Sequence, residues 1–250
     1  MEQQKNSEVD KKFRRVLITG AKGKIGAVII PALIENFEVY QLDRENIQDT
    51  ESETRTDITS FEDLLKAIKK FQPIDCIVHL ASNPNADSSW EDILQANIIG
   101  TRNIYEAARQ QNVKRVIFAS STHLYGAYEG YPVDSQLGRP ISVEDNPRPD
   151  GDYGTSKGFG ELIARQYYDL HGIESICIRI GSVSVDDKPV APYEKLWLSH
   201  RDLVQIFKLA LATDTQFGIY FATSRNKDGI FDLTLAKNEL GFNPQDGYPR

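Results

Sequence analysis

Eight residues, Thr19-Gly20-Ala21-Lys22-Gly23-Lys24-Ile25-Gly26, space three glycines three apart between a β-branched run and an amphipathic one. The flanks read as a strand at Arg15–Thr19 and a helix at Ile25–Glu35, with Pro31 an awkward interior residue. Glycines at a strand-to-helix turn let the backbone bend tightly and approach a pyrophosphate, while the helix N-terminus offers unpaired N–H groups to the anion. The triplet by itself also suits an ordinary turn. Asp43 narrows the choice. It ends the next apolar run, Glu38–Leu42, 23 residues after Gly20, where a carboxylate can accept both hydroxyls of an adenosine ribose. The same carboxylate repels a 2′-phosphate, so NAD is favoured over NADP, although Arg44 beside it could accommodate that phosphate.

Short β-branched runs and helix-length segments keep alternating along the chain, which predicts a parallel sheet covered on both faces. A weak third strand is expected to end near Asp57, followed by a helix from Ser60 to Phe71 with Ser60 as N-cap. Strands follow at Asp75–Leu80 and Val116–Ser120, separated by one long helix from about Trp90 to Gln111. Gly126–Gly151 is too polar and broken for regular structure, and long loops in compact α/β domains usually serve function. A helix over Tyr153–His171 and a strand over Glu174–Ile180 restore the alternation. Beyond Gly181 the pattern predicts a loop to Trp197, a helix near Arg201–Ala212, a strand near Gln216–Phe221 and a short helix near Thr234–Leu240.

With 250 residues, 40% of them hydrophobic, the chain can bury one substantial core. Residues 13–250 read as a single domain whose part from about 181 forms a small substrate-side cap, and 1–12 as a disordered polar tail. No apolar stretch approaches the roughly 18–20 residues of a membrane span, and the N-terminus has no signal-peptide pattern. The net charge of −7 argues against nucleic acid or an anionic membrane as partner. Cys76 and Cys177 sit inside apolar runs as buried thiols, with no disulfide or metal pattern, which points to a reducing, cytoplasmic setting.

Tyr153 and Lys157 stand at i and i+4 on one helix face. A phenol titrates near 10 and is a poor base at neutral pH, but an adjacent ammonium and a cationic nicotinamide favour its deprotonated form. Such a pair is common on helices. Ser121 gives it meaning, because it ends the fifth strand, and parallel sheets place ligands at their carboxyl ends.

These residues resemble the short-chain dehydrogenase/reductase superfamily in its extended, sugar-handling branch, over almost the whole chain from Arg14 onward. The resemblance rests on the T-G-x-x-G-x-x-G turn, Asp43, Asp57-Ile58, His79-Leu80-Ala81, Asn97, Ser121 and the Tyr153/Lys157 pair. It implies a Rossmann-type doubly wound sheet. It also implies that Ser121 hydrogen-bonds the substrate hydroxyl, Tyr153 exchanges its proton, and Lys157 holds the nicotinamide ribose. NAD contacts are expected from Gly20, Gly23, Lys24, Ile25, Gly26, Asp43, Asp57, Ile58, Leu80, Ala81, Asn97, Tyr153 and Lys157. Asn97 also suits a plain polar helix residue, and His79 a structural strand position. The superfamily further suggests a homodimer or larger homo-oligomer through helices 90–111 and 153–171. Their apolar residues Ile93, Ile98, Ile99, Leu162, Tyr167 and Tyr168 could equally pack on the sheet.

Within the branch, Ser120-Ser121-Thr122-His123-Leu124-Tyr125-Gly126 is similar to nucleotide-sugar 4-epimerases, but only 93 residues follow Lys157, too few for their C-terminal lobe. The closer resemblance is to uronate dehydrogenases and archaeal hexose and hexose-6-phosphate dehydrogenases. It is carried by Arg148-Pro149-Asp150-Gly151-Asp152-Tyr153-Gly154, Arg179-Ile180-Gly181-Ser182 and Trp197-Leu198-Ser199-His200-Arg201-Asp202. It implies oxidation of a sugar at C1 to a lactone, with substrate contacts from Ser82, Ser121, Thr122, His123, Tyr153, Ser182 and Lys195. Thr122 replaces the family asparagine. Glu194 stands where uronate dehydrogenases carry the arginine that pairs with the substrate carboxylate, which favours a neutral or phosphorylated aldose. Lys195 could then meet a phosphate or merely solvate the loop. An epimerase with tightly bound NAD and a non-enzymatic NAD sensor are the alternatives.

Overall fold

The computed structural model describes residues 13–128 and 137–249, so the tail at 1–12 and part of the Gly126–Gly151 stretch lie outside the described residues. Seven strands form one all-parallel sheet: β1 (Arg15–Thr19), β2 (Glu38–Asp43), β3 (Glu53–Arg55), β4 (Cys76–His79), β5 (Arg115–Ser121), β6 (Glu174–Ile180) and β7 (Phe217–Ala222). Their order is β3-β2-β1-β4-β5-β6-β7, a parallel sheet as the alternating pattern predicts, in the doubly wound Rossmann arrangement that the family resemblance implies. Strand order reverses between β1 and β4, and a crevice opens there at the carboxyl ends. The helices are α1 (Lys24–Leu33), α2 (Phe61–Lys70), α3 (Trp90–Ile93), α4 (Gly100–Gln110), α5 (Asp152–His171) and α6 (His200–Ala212).

Alternation along the strands builds two cores. Val16 and Ile18 of β1 face Ile29 of α1 and Ile206 and Phe207 of α6. Leu17 faces the other side, with Leu64 and Ile68 of α2, Ile104 of α4 and Ile163 of α5. Burial on both faces explains why the central strands read as continuous apolar runs. Cys76 and Cys177 are free and buried.

The structure departs from the expected elements in informative places. Helix α1 runs through Pro31 to Leu33; Ala27, whose carbonyl loses its usual intrahelical partner, is exposed. Ser60 sits at the N-cap but makes no capping bond, and its hydroxyl instead donates to Asp63 at 2.8 Å. Strand β3 stops at Arg55, because Asp57 accepts the Thr59 N–H (2.9 Å) and hydroxyl (2.8 Å) and turns the chain toward α2. The long helix over 90–111 is interrupted by a π-helical turn at Leu94–Ile99. Of the apolar residues on the two long helical segments, Ile93 and Tyr167 are buried in the chain's own core. Ile98, Ile99 and Tyr168 are half-buried, and Leu162 is 74% exposed. No helix among the described residues is long and apolar enough to cross a membrane.

Residues after Ile180 divide between the sheet and its carboxyl edge. Helix α6 and β7 complete the sheet. Ser182 bridges to Trp197, folding the intervening loop back on itself, and Asn226 ties that turn by donating to the carbonyls of Lys195 (3.1 Å) and Trp197 (2.8 Å). Buried Asp202 accepts from the Ser224 hydroxyl and from the N–H groups of Gln245 and Asp246, which anchors the last segment.

His79, at the end of β4, is buried between the hydroxyls of Thr19 (2.8 Å) and Thr101 (3.2 Å). Burial, with Lys157 nearby, pulls its pKa down to about 3, so the folded protein holds a neutral ring. Unfolded histidine titrates near 6.5, so between about pH 6.5 and pH 3 the unfolded chain alone binds this proton. Its contribution to stability is complete above that window and is lost as pH falls through it, by about 1.4 kcal/mol per unit. Urea unfolding at pH 7 and pH 5 is expected to show a fall about 2 kcal/mol larger in the wild type than in His79→Gln. Equal falls would assign the acid sensitivity to other groups.

Candidate active site

The crevice at the switch point is a cleft of about 940 Å³ lined by the ends of β1, β2, β4, β5 and β6. Its first half is the glycine turn. Gly20 has φ +69°, and a Cβ there would lie 2.6 Å from the Ala81 amide nitrogen, so turn and β4 end approach as only glycine allows. A Cβ on Gly26 would lie 2.3 Å from the Ala21 carbonyl oxygen. Helix α1 begins at this turn with no side chain capping its first N–H groups. At the end of β2, Asp43 accepts the Lys22 N–H (2.8 Å) and the Glu45 N–H (3.2 Å), which holds its carboxylate at the cleft edge. Arg44 is engaged with Glu45 at 3.2 Å. An uncapped helix N-terminus, a turn with no room for a Cβ and a fixed carboxylate fit the pyrophosphate and ribose of a dinucleotide. Asp57, Ile58, Leu80 and Ala81 continue the lining.

The second half gathers Ser121, Tyr153 and Lys157. Register pairs Ser121 with Ile180 at the matched carboxyl ends of β5 and β6. Tyr153 opens α5. Gly154 after it lets the helix dock on the His123 carbonyl, from which a Cβ would be only 2.3 Å away. Lys157 is buried; its Nζ donates to the Ala119 carbonyl (2.9 Å) and lies 5.4 Å from the centre of the Tyr153 ring. Burial pulls the Lys157 pKa down to about 7. Burial also pushes Tyr153 up to about 12, with the Ser121 hydroxyl drawing it down and Asp150 raising it further. The cleft therefore holds the phenol proton tightly, and Tyr153 becomes a base only when positive charge is brought beside it.

Of the remaining candidates, Lys24, Ile25, Ser82, His123 and Ser182 also line the cleft. Asn97, Thr122 and Lys195 do not. The Asn97 amide lies in the π-helical turn, accepts the Asn83 N–H (2.7 Å) and donates to the Asn83 carbonyl (3.2 Å) and Ser156 hydroxyl (3.0 Å). It therefore ties the loop after β4 to α5. Thr122 is buried at the start of a 3₁₀ turn, Thr122–Tyr128. Lys195 is exposed on the Glu194–Leu196 turn, outside the cleft lining. Sequence reasoning missed Lys22, Asn83 and Gln95, which line the cleft. Lys22 also joins the turn to β3 through Glu53 (2.9 Å), a contact between distant segments that no local pattern announces. Among the described residues no cluster of three or more His, Cys, Asp or Glu could hold a metal ion.

Sheet order and cradle together make this a dinucleotide-binding α/β protein. The family model described as "NAD dependent epimerase/dehydratase family" matches residues 16–185. The chain is 31% identical over 244 residues to the NAD-dependent glucose-6-phosphate dehydrogenase of Haloferax volcanii, covering 92% of this chain and 93% of that protein. A solved glucuronic acid dehydrogenase from Chromohalobacter salexigens is similar at TM-score 0.83 and 35% identity, over 95% of this chain and 86% of that one. A variant of the Agrobacterium tumefaciens uronate dehydrogenase, complexed with NAD, is similar at TM-score 0.80 and 31% identity, over 94% and 85%. The chain belongs to the NAD dependent epimerase/dehydratase family.

Proposed function

We propose that this protein is an NAD-dependent sugar dehydrogenase that oxidises an aldose, aldose phosphate or uronate at C1 to the lactone. The observation that carries this reading is the meeting of Ser121, Tyr153 and Lys157 in one cleft with the glycine turn and Asp43. Similarity to dehydrogenases of glucose 6-phosphate and of glucuronic acid supports a sugar as the substrate.

NAD held by the glycine turn and Asp43 supplies the hydride acceptor and, through its nicotinamide, a positive charge. Ser121 hydrogen-bonds the C1 hydroxyl and holds it toward the phenol. Tyr153 takes the C1 hydroxyl proton as that oxygen becomes the lactone carbonyl. Lys157, its Nζ fixed by the Ala119 carbonyl, would hold the nicotinamide ribose of bound NAD and, when protonated, add positive charge beside the phenol. Neither Glu194 nor Lys195 lines the cleft, so the preference for a neutral or phosphorylated sugar over a uronate rests on the sequence alone, where Glu194 replaces a carboxylate-pairing arginine.

The test follows NADH absorbance on adding NAD with a panel of aldoses, hexose phosphates and uronates. NADH formed with a lactone product supports the reading. Inversion of a sugar without net NADH would make the protein an epimerase. NAD binding with no turnover across the panel would make it a sensor.

A further inference from the structure

We propose that Asp150 is a positioning residue that fixes the proton of neutral His123 on Nδ1, leaving Nε2 to accept a hydrogen bond from a substrate hydroxyl beside Tyr153. The inference rests on the dehydrogenase reading above and adds to it how the sugar is oriented. His123 Nδ1 lies 2.6 Å from Asp150 Oδ2. An ionised carboxylate only accepts, so in the neutral ring the proton sits on Nδ1 and Nε2 carries the lone pair. Among the described residues Nε2 has no hydrogen-bond partner, and the half-exposed ring lines the cleft. It stands edge-on to Tyr153, with centroids 5.3 Å apart and planes at 80°.

The chain is shaped to hold this pair. The Asp150 N–H donates to the His123 carbonyl (3.3 Å), so backbone and side chain grip the same residue. The Arg148 N–H donates to Leu124 and the Ala127 N–H to Arg148, each at 3.0 Å, which zips the 3₁₀ turn to the segment before α5. Gly126 leaves the space that the carboxylate fills, since a Cβ there would lie 2.1 Å from Asp150 Oδ2. Asp150 also raises the pKa of Tyr153, which opposes its use as a base. A carboxylate kept there against the needs of the phenol is accounted for by what it does to His123.

Imidazole nitrogen spectra of the ¹⁵N-labelled full-length protein at pH 8, without substrate, read the tautomer directly, with His123→Ala assigning the signal. The wild type is expected to show protonated Nδ1, Asp150→Asn to retain it because the amide oxygen still accepts, and Asp150→Ala to shift to protonated Nε2. Gly126→Ala, which displaces the carboxylate, should shift it likewise. With the sugar oxidised in the panel, Asp150→Ala is expected to lower kcat/KM about tenfold or more, chiefly through KM, with NADH affinity unchanged. Added to His123→Ala it should cost nothing further. Protonated Nε2 in the wild type, or losses that multiply in the double variant, would overturn the proposal. Absence of turnover on every sugar would count against the dehydrogenase reading alone, and the spectra would still decide the role of Asp150.

Discussion

Tyr153→Phe is expected to lower kcat at least 10³-fold while the affinity for NADH changes less than threefold. The substitution removes one oxygen and keeps the ring, so the edge-on contact with His123 and the start of α5 remain. General acid–base groups contribute about 10²–10⁴ in rate, and the nearest other base, the His123 imidazole, is held by Asp150 to orient a neighbouring hydroxyl and not the one that Tyr153 serves. Lys157 is tied to the Ala119 carbonyl, and Ser121 is an unactivated alcohol whose oxygen accepts the His123 N–H. Single-turnover absorbance separates the chemical step from binding, and fluorescence titration of NADH measures the cofactor site independently. A variant that kept a tenth of the wild-type rate would remove Tyr153 from the chemistry.

The largest expected effect on stability comes from a pair behind the site. Glu161 of α5 receives Arg179 of β6 through two parallel bonds of 2.8 Å, and its Oε1 also accepts the Ser120 hydroxyl at 2.6 Å. Both side chains are less than a tenth exposed, and the guanidinium lies 4.7 Å from the Tyr125 ring centre and 5.0 Å from that of Phe221. Glu161→Ala strands that cation away from water, at a cost of about 3–5 kcal/mol. At about 2–4 °C per kcal/mol for a chain of this size, Tm should fall by roughly 10 °C. The double variant Glu161→Ala, Arg179→Met removes both charges and is expected to recover at least half of the loss, as buried ion pairs replaced by apolar groups commonly do. Urea unfolding of the two variants decides the matter. If the double variant is less stable than Glu161→Ala, the cost lies in packing rather than in the stranded charge.

Much of the frame is written locally. The central strands read as apolar runs because both of their faces are covered, and Ser121 and Asp43 were placed by counting along those runs to their carboxyl ends. Helical spacing puts Tyr153 and Lys157 on one face, and Ser121 at the strand end gives the pair its meaning. The misplacements have a shared cause, in that distant segments decide them. Glu53-Thr54-Arg55 is polar and short, and it becomes a strand only because β2 offers an edge. Asn97 carries no mark of its bonds to Asn83 and Ser156, residues 14 and 59 positions away. Lys195 stays on an exposed turn outside the cleft lining, before a Ser182–Trp197 pairing that no local pattern announces. Asp150 meets His123 across 27 residues.

The π-helical turn at Leu94–Ile99 absorbs one residue more than a regular helical turn, so α3 and α4 on either side of it stay in phase. Deleting one residue there would heal the helix and leave both flanks facing as they do. What would change is the turn itself. It is the turn that presents the Asn97 amide to Asn83 and to Ser156. A one-residue deletion that removes this widening is therefore expected to keep the helical packing while disconnecting the loop after β4, on the cofactor side, from the helix that carries Tyr153 and Lys157.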